Sequence, residues 1–363
     1  MKYMNRALKL ARRARGTTSP NPSVGAVIVN NNKVVGEGFT QPYGGPHAEI
    51  EALRQAGTKS KNSTLYVTLE PHCFQGNTPS CTTAIIEAGI NEVHIAALDP
   101  NPKVNGLGKK ELESAGLKVI FEENNEALEI TEGFAKHIRT NMPFVTVKFA
   151  MSLDGKISTT SGDSKWITGE SSRTIARDLR RISDAVMVGT NTILRDRPRL
   201  TARDKKGIPL ENQPLKVVVD TNGIIPEDSS IFKEPGETLI ATTNMSTSKV
   251  DRLTNQGIAV ITIPQDDTGV SLIKLLEFLG SSGIVNLLVE GGGTLIGSFF
   301  DKGLVDKIHA FLAPIVIGGR DSLSPVEGLG AKDMSQCLDL SHISVKRIGS
   351  DLMLKAYPHQ RIT

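Results

Sequence analysis

Residues 46–51 read PHAEIE, and residues 69–81 read LEPHCFQGNTPSC. A helix opening on His47-x-Glu49 puts a metal-ligand type and a carboxylate on its first turn. A strand ending in Glu70-Pro71 is followed by His72, Cys73 and, nine residues beyond His72, Cys81. The two fragments form one centre only if a second helix start, near Cys81, rests beside the first. That arrangement belongs to alternating helices and strands around a sheet.

The flanking sequence follows that pattern. Met4, Ala7, Leu8 and Ala11 share one face of a first helix. The opening residues carry no acid before Glu37, as a transit peptide would. A tight turn and a strand follow at once, which favours a helix of the folded domain. Residues 24–29 and 33–38 flank Asn30-Asn31-Asn32 and predict a hairpin. Helical spacing over 47–56 and 80–89 alternates with strands at 64–69, 92–98 and 117–121. A three-layer α/β/α domain results. Pro143 ends a helix over 125–138 and sets a boundary, giving domains 1–142 and 143–363. The second domain alternates again, through strands at 145–149, 185–188, 217–220, 238–241, 259–263, 286–290 and 307–312.

Composition removes several classes. Lys and Arg number 42 against 39 acidic residues, and aromatics are 4%, so no basic stripe with stacking rings marks a nucleic-acid binder. No apolar run approaches the ~20 residues of a membrane span. Three cysteines, Cys73, Cys81 and Cys337, are too few and too uneven for a secreted disulfide scaffold and indicate a reducing compartment. Cys337 reads as a small buried hydrophobe.

His-x-Glu followed by Pro-Cys-x-x-Cys is a zinc deaminase signature in which Glu moves protons and is not a ligand. His47, Glu49, Pro71 and Cys81 fit it with a longer second spacing. A lone His-x-Glu would be read as a satisfied core histidine. Both halves, in order and after a hairpin, favour zinc bound by three side chains with a fourth position for water. A purely structural zinc module leaves Glu49 without a role.

With those residues in view, TSPNPSVGAVIV, PHAEIEAL, YVTLEP, GNTPSC, DPNPKVNGLG, EGFAKHIRTNMPFVTVKFAMSLDGK and SGDSKWITGE resemble the bifunctional deaminase–reductases of riboflavin biosynthesis. The resemblance covers nearly the whole chain. It implies a cytidine-deaminase-like N-terminal domain that uses Zn2+ to remove the 2-amino group of a diaminopyrimidinone ribosylamino 5′-phosphate. It also implies a dihydrofolate-reductase-like C-terminal α/β domain that reduces the ribosyl group to ribityl with NADPH. A cytoplasmic homodimer or homotetramer is implied as well, with a small-molecule substrate and neither nucleic acid nor membrane as partner. In the family the residue after this Pro is normally a Cys ligand; here it is His72. The ligand set is therefore His47, Cys81 and either His72 or Cys73, and an alternative is a decayed deaminase that leaves a reductase only.

The same resemblance assigns Glu49 as proton shuttle and Asn21 as a substrate contact. In the second domain it places Ala150, Trp166, Thr192, Asp196 and Thr221 at the cofactor, together with Gly292, Gly293, Thr294, Leu295, Ile296, Gly297 and Ser298. Ser164, Arg180, Leu200, Arg203 and Glu290 are its substrate contacts. Read by itself, Glu290-Gly291-Gly292-Gly293-Thr294 follows a strand and opens a helix, where amides can approach a phosphate. It lacks the Rossmann spacing. Arg180 and Arg203 are expected to grip the ribose phosphate, because guanidinium meets phosphate as a fork. Lys148 and Asp154 are the two candidates for a general acid.

Overall fold

The computed structural model describes residues 1–74 and 80–359 and divides into two compact units, Met1–Met142 and Pro143–Thr363. The GNTP part of the second fragment lies outside the described residues.

In the first unit α1 (Lys2–Ala14) precedes a hairpin of β1 (Gly25–Asn30) and β2 (Lys33–Phe39). Then come α2 (Ala48–Ala56), β3 (Thr64–Val67), α3 (Cys81–Glu87), β4 (Glu92–Ile95), α4 (Leu107–Ser114), β5 (Lys118–Phe121) and α5 (Asn125–Thr140). The sheet order is β2-β1-β3-β4-β5, antiparallel at β1 and parallel from β3 to β5. Ala26, Ile28, Leu65 and Val67 point to one side of this sheet and pack with Ala48 and Ala52 of α2. Val27 and Val29 point to the other, onto Ala7 and Leu10 of α1. Gly38 sets the spacing: a Cβ there would lie 2.1 Å from the Ala48 carbonyl oxygen. Only glycine lets the start of α2 lie this close to β2.

The second unit runs β6 (Phe144–Ser152), α6 (Glu170–Arg181), β7 (Ala185–Gly189), α7 (Thr190–Asp196), β8 (Leu215–Val219), β9 (Thr238–Thr242), α8 (Thr247–Asn255) and β10 (Ala259–Thr262). A two-stranded ribbon, β11 (Gln265–Asp266) and β12 (Gly269–Val270), leads to α9 (Leu272–Ser281), β13 (Asn286–Val289), α10 (Gly293–Asp301) and β14 (Lys307–Ala313). Two strands close the chain, β15 (Leu340–Ile348) and β16 (Asp351–Pro358). The sheet order is β10-β9-β8-β7-β13-β6-β14-β16-β15. It is parallel from β10 to β14, and β16 and β15 are antiparallel. Strands buried on both faces read as continuous apolar runs, as VMV and VVV do here. The sequence pattern marks no strand beyond β14. The side chains of β15 are exposed or half-exposed along its whole length, so no core-facing alternation marks it. Among the described residues no helix is long and apolar enough to cross a membrane.

Candidate active site

His47 is the N-cap of α2, and Glu49 in its first turn is only 4% exposed. His72 leaves β3 after Pro71, and its main-chain oxygen accepts from Cys81 N at 3.1 Å and Thr82 N at 3.3 Å. That carbonyl ties down two otherwise orphaned amides at the start of α3 and so places Cys81 beside the first helix. Cys81 Sγ lies 3.4 Å from His47 Nδ1, and the His47 and His72 rings are 4.7 Å apart. Ligand atoms of His47, His72 and Cys81 all lie within 4.8 Å of one another. Cys73 is half-buried and stands outside this group. Two imidazole nitrogens and one thiol sulfur are a donor set that zinc accepts, with a fourth position left for water.

Burial holds the Glu49 carboxyl above its usual range, with His47 opposing the shift. Burial pushes the Cys81 thiol well up, and the neighbouring Glu49 charge adds to it. A divalent cation at this point would draw both toward their anionic forms.

A cleft of about 460 Å³ opens onto this group. Asn21, Tyr43, Phe74, Asn101 and His137 line it with Glu49. Two acids that sequence reasoning passed over shape it. Buried Glu70 accepts from the amides of Asp99, Gly106 and Lys109 at 3.1, 2.9 and 2.9 Å, which pins the Asp99 turn and the start of α4 to the segment that follows β3. Burial, with Glu70 and Glu49 nearby, raises Asp99 to about 6. Glu70 was legible only as the end of a strand before Pro71, and Asp99 only as part of the DPNP turn.

In the second unit a cavity of about 200 Å³ lies at the C-terminal ends of β7 and β8. This is where open parallel sheets bind ligands. Thr192, Thr221, Gly292, Thr294, Leu295 and Ser298 line it. Ala150, Trp166, Asp196, Gly293, Ile296 and Gly297 stand outside the lining. Ile296 packs in the core, and Gly297 lets α10 meet the 327–328 segment. Asp196 accepts from Ser164 Oγ at 2.9 Å. Trp166 is 70% exposed, with the Arg173 guanidinium 4.6 Å from its ring centroid.

Glu290, at the end of β13, meets Arg180 of α6 through Nε–Oε1 at 2.5 Å and a second bond at 2.8 Å. Arg180 also donates to the Thr201 carbonyl at 3.4 Å. The Arg180 guanidinium, expected at the ribose phosphate, faces Glu290 and the Thr201 carbonyl. Arg203 donates to Thr201 Oγ1, Gly207 O and Glu234 Oε2, so it too is engaged within the protein. Leu200, at φ +52°, is buried in the core of the second unit. Lys148 Nζ lies 3.9 Å from Glu290 Oε2. Burial lowers the Lys148 pKa, against the pull of Glu290. Asp154 accepts from Ser152 Oγ, Ile317 N and Gly318 N and is lowered to about 2, which leaves it no proton to donate. Cys337 is half-exposed, contrary to the expectation of burial, and follows a short turn of 3-10 helix.

A zinc-type donor cluster in one unit and a cavity at the ends of parallel strands in the other fit a two-activity deaminase–reductase. Comparison with known proteins agrees. Residues 1–97 match the cytidine and deoxycytidylate deaminase zinc-binding region, and residues 143–354 match the RibD C-terminal domain. The chain is 40% identical over 355 residues to riboflavin biosynthesis protein RibD of Aquifex aeolicus, covering 97% of this chain and 96% of that protein. It superposes on Acinetobacter baumannii RibD with TM-score 0.86 and 35% identity, over 99% of this chain and 98% of that one. A diaminohydroxyphosphoribosylaminopyrimidine deaminase/5-amino-6-(5-phosphoribosylamino)uracil reductase from Thermotoga maritima matches with TM-score 0.84 and 32% identity, over 99% and 98%. The chain belongs to the RibD family of bifunctional enzymes in riboflavin biosynthesis, with a zinc-dependent deaminase unit and an NADPH-dependent reductase unit.

Proposed function

We propose that the first unit deaminates a 2,5-diamino-6-ribosylamino-4(3H)-pyrimidinone 5′-phosphate, and that the second reduces the ribosyl side chain of the product to ribityl. The convergence of His47, His72 and Cys81 beside buried Glu49 carries this reading. His72 is the third ligand and Cys73 is not, and a complete donor set argues against a decayed deaminase.

Zinc, when bound, supplies Lewis acidity that makes water nucleophilic at neutral pH. Glu49 takes the proton of the attacking water and delivers it to the departing nitrogen. Asn21 and Asn101 offer amides to the pyrimidine. In the second unit a reduced nicotinamide, when bound, supplies the hydride. Thr192, Thr221, Thr294 and Ser298 hold the cofactor, Glu290 orients the sugar, and Lys148 is the general acid, since Asp154 stays ionised. The enzyme works in the cytoplasm as a homo-oligomer, a dimer or tetramer, which sedimentation would measure.

Zinc content and ammonia release, measured on the native protein, His72→Ala and Cys73→Ala, test the site. His72→Ala is expected to lose both, and Cys73→Ala to keep both. Loss in Cys73→Ala alone would move the ligand by one residue. A native protein with neither zinc nor ammonia release would leave only the reductase.

A further inference from the structure

The substrate proposed above carries a phosphate, and the cleft of the first unit is poor in groups to receive one. Its titratable lining includes three carboxylates, Glu49, Glu70 and Asp99. Among the described residues no Lys or Arg lines it, and its basic side chains are His47, His72 and His137. The 75–79 segment, QGNTP, adds no basic residue by sequence. His47 and His72 are gathered with Cys81 at ligand distance. His137 is the basic group that remains.

Its position suits the task. His137 lies in the last turn of α5, and Phe134, His137 and Ile138 line the cleft together. Residues three and four apart share one helix face, so α5 presents two apolar side chains and one imidazole as a single wall. The ring being deaminated has to lie at Glu49 and the ligand cluster. The ribosylamino arm then carries the phosphate away from the carboxylates toward another wall. Glu70 cannot swing to follow it, because three main-chain amides hold its carboxylate. An imidazole donates an N–H to a phosphate oxygen in either protonation state and adds a positive charge when protonated.

We propose that His137 recognises the 5′-phosphate in the deaminase cleft and so sets the preference for phosphorylated over unphosphorylated substrate. This rests on the substrate reading given above.

The test uses the full-length protein and two substrates, the ribosylamino 5′-phosphate and its dephosphorylated counterpart. Ammonia release is followed for native protein, His137→Ala and His137→Arg, with zinc content and NADPH oxidation as checks on folding. His137→Ala is expected to raise KM for the phosphorylated compound about tenfold or more, the size of a lost charge-assisted hydrogen bond. Most of the loss falls in KM rather than kcat, KM for the dephosphorylated compound stays put, and His137→Arg restores the preference. An unchanged KM for the phosphorylated compound overturns the inference while the substrate reading stands, and so does an equal rise for both compounds, which marks a packing role. No ammonia from either compound with native protein overturns the substrate reading and this inference with it.

Discussion

Arg180 and Glu290 stand 110 residues apart in sequence and meet in a two-bond ion pair, with contacts of 2.5 and 2.8 Å. One comes from α6 and the other from the end of β13, immediately before the glycine run. Both side chains are largely buried. Burial alone would raise the Glu290 carboxyl, but Arg180 and Lys148 outweigh it and hold Glu290 below the usual carboxylate range. Glu290 is thus kept as an anion in a fixed orientation beside Lys148.

Arg180→Ala should therefore act through Glu290. Removing one partner strands a buried charge, which costs about 3–5 kcal/mol. Urea unfolding should show that loss, and NADPH oxidation should fall with it. Arg180→Lys should recover only part, because an ammonium cannot reproduce the two-bond fork. Ammonia release by the first unit should not change. Full NADPH oxidation in Arg180→Ala would show that the pair plays no part in the reductase.

Glu49→Gln separates metal binding from proton transfer. The amide keeps the size of the side chain and leaves His47, His72 and Cys81 in place. Zinc stoichiometry should hold, while ammonia release falls by about 10²–10⁴, the usual worth of a positioned acid–base group. Zinc loss in this variant would make Glu49 a ligand and contradict the assignment.

Gly297 tests the proposal that the cavity of the second unit holds the cofactor. A Cβ there would sit 2.1 Å from the Glu327 carbonyl oxygen and 2.7 Å from Gly328 N. Thr294 of the same helix donates to Glu327 Oε2 at 2.7 Å. Gly297→Ala must push the 327–328 segment away from α10, at a cost of about 1–3 kcal/mol. Since Thr294 also lines the cavity, KM for NADPH should rise together with the loss of stability. A destabilised variant with native KM would show that this contact serves only the fold.

The parts of this design legible in sequence were local ones. The face of α1, the hairpin and the His47-x-Glu49 helix start each depend on residues within a few positions of one another. The choice between His72 and Cys73 was not legible, because it turns on how the chain leaves Pro71 and on a main-chain carbonyl that caps α3. Nor was the engagement of Arg180, whose partner arrives from a strand end 110 residues away. Ile343 and Val345 of β15 are apolar yet 57% and 59% exposed, so the edge strand offered no pattern of burial to read. Asp99 hid inside a turn motif whose polar residues have an ordinary local explanation.

Asp99 gives a pH dependence whose sign follows from its surroundings. Burial, aided by Glu70 and Glu49, raises it to about 6 in the folded protein. An unfolded aspartate titrates near ~3.9. Between those values the folded protein holds the proton and the unfolded chain has lost it, so stability falls as pH rises through that window. The contribution is fully present below about pH 4 and gone above about pH 6, a span of up to ~3 kcal/mol at ~1.4 kcal/mol per pH unit. Asp99→Asn removes the titrating group and should flatten this part of the curve, making the variant more stable than native above about pH 6. Urea midpoints of the zinc-free protein across the window, native against Asp99→Asn, measure the difference. Parallel curves would mean that Asp99 keeps an ordinary carboxylate pKa, and that Glu70 and Glu49 are better screened than their burial suggests.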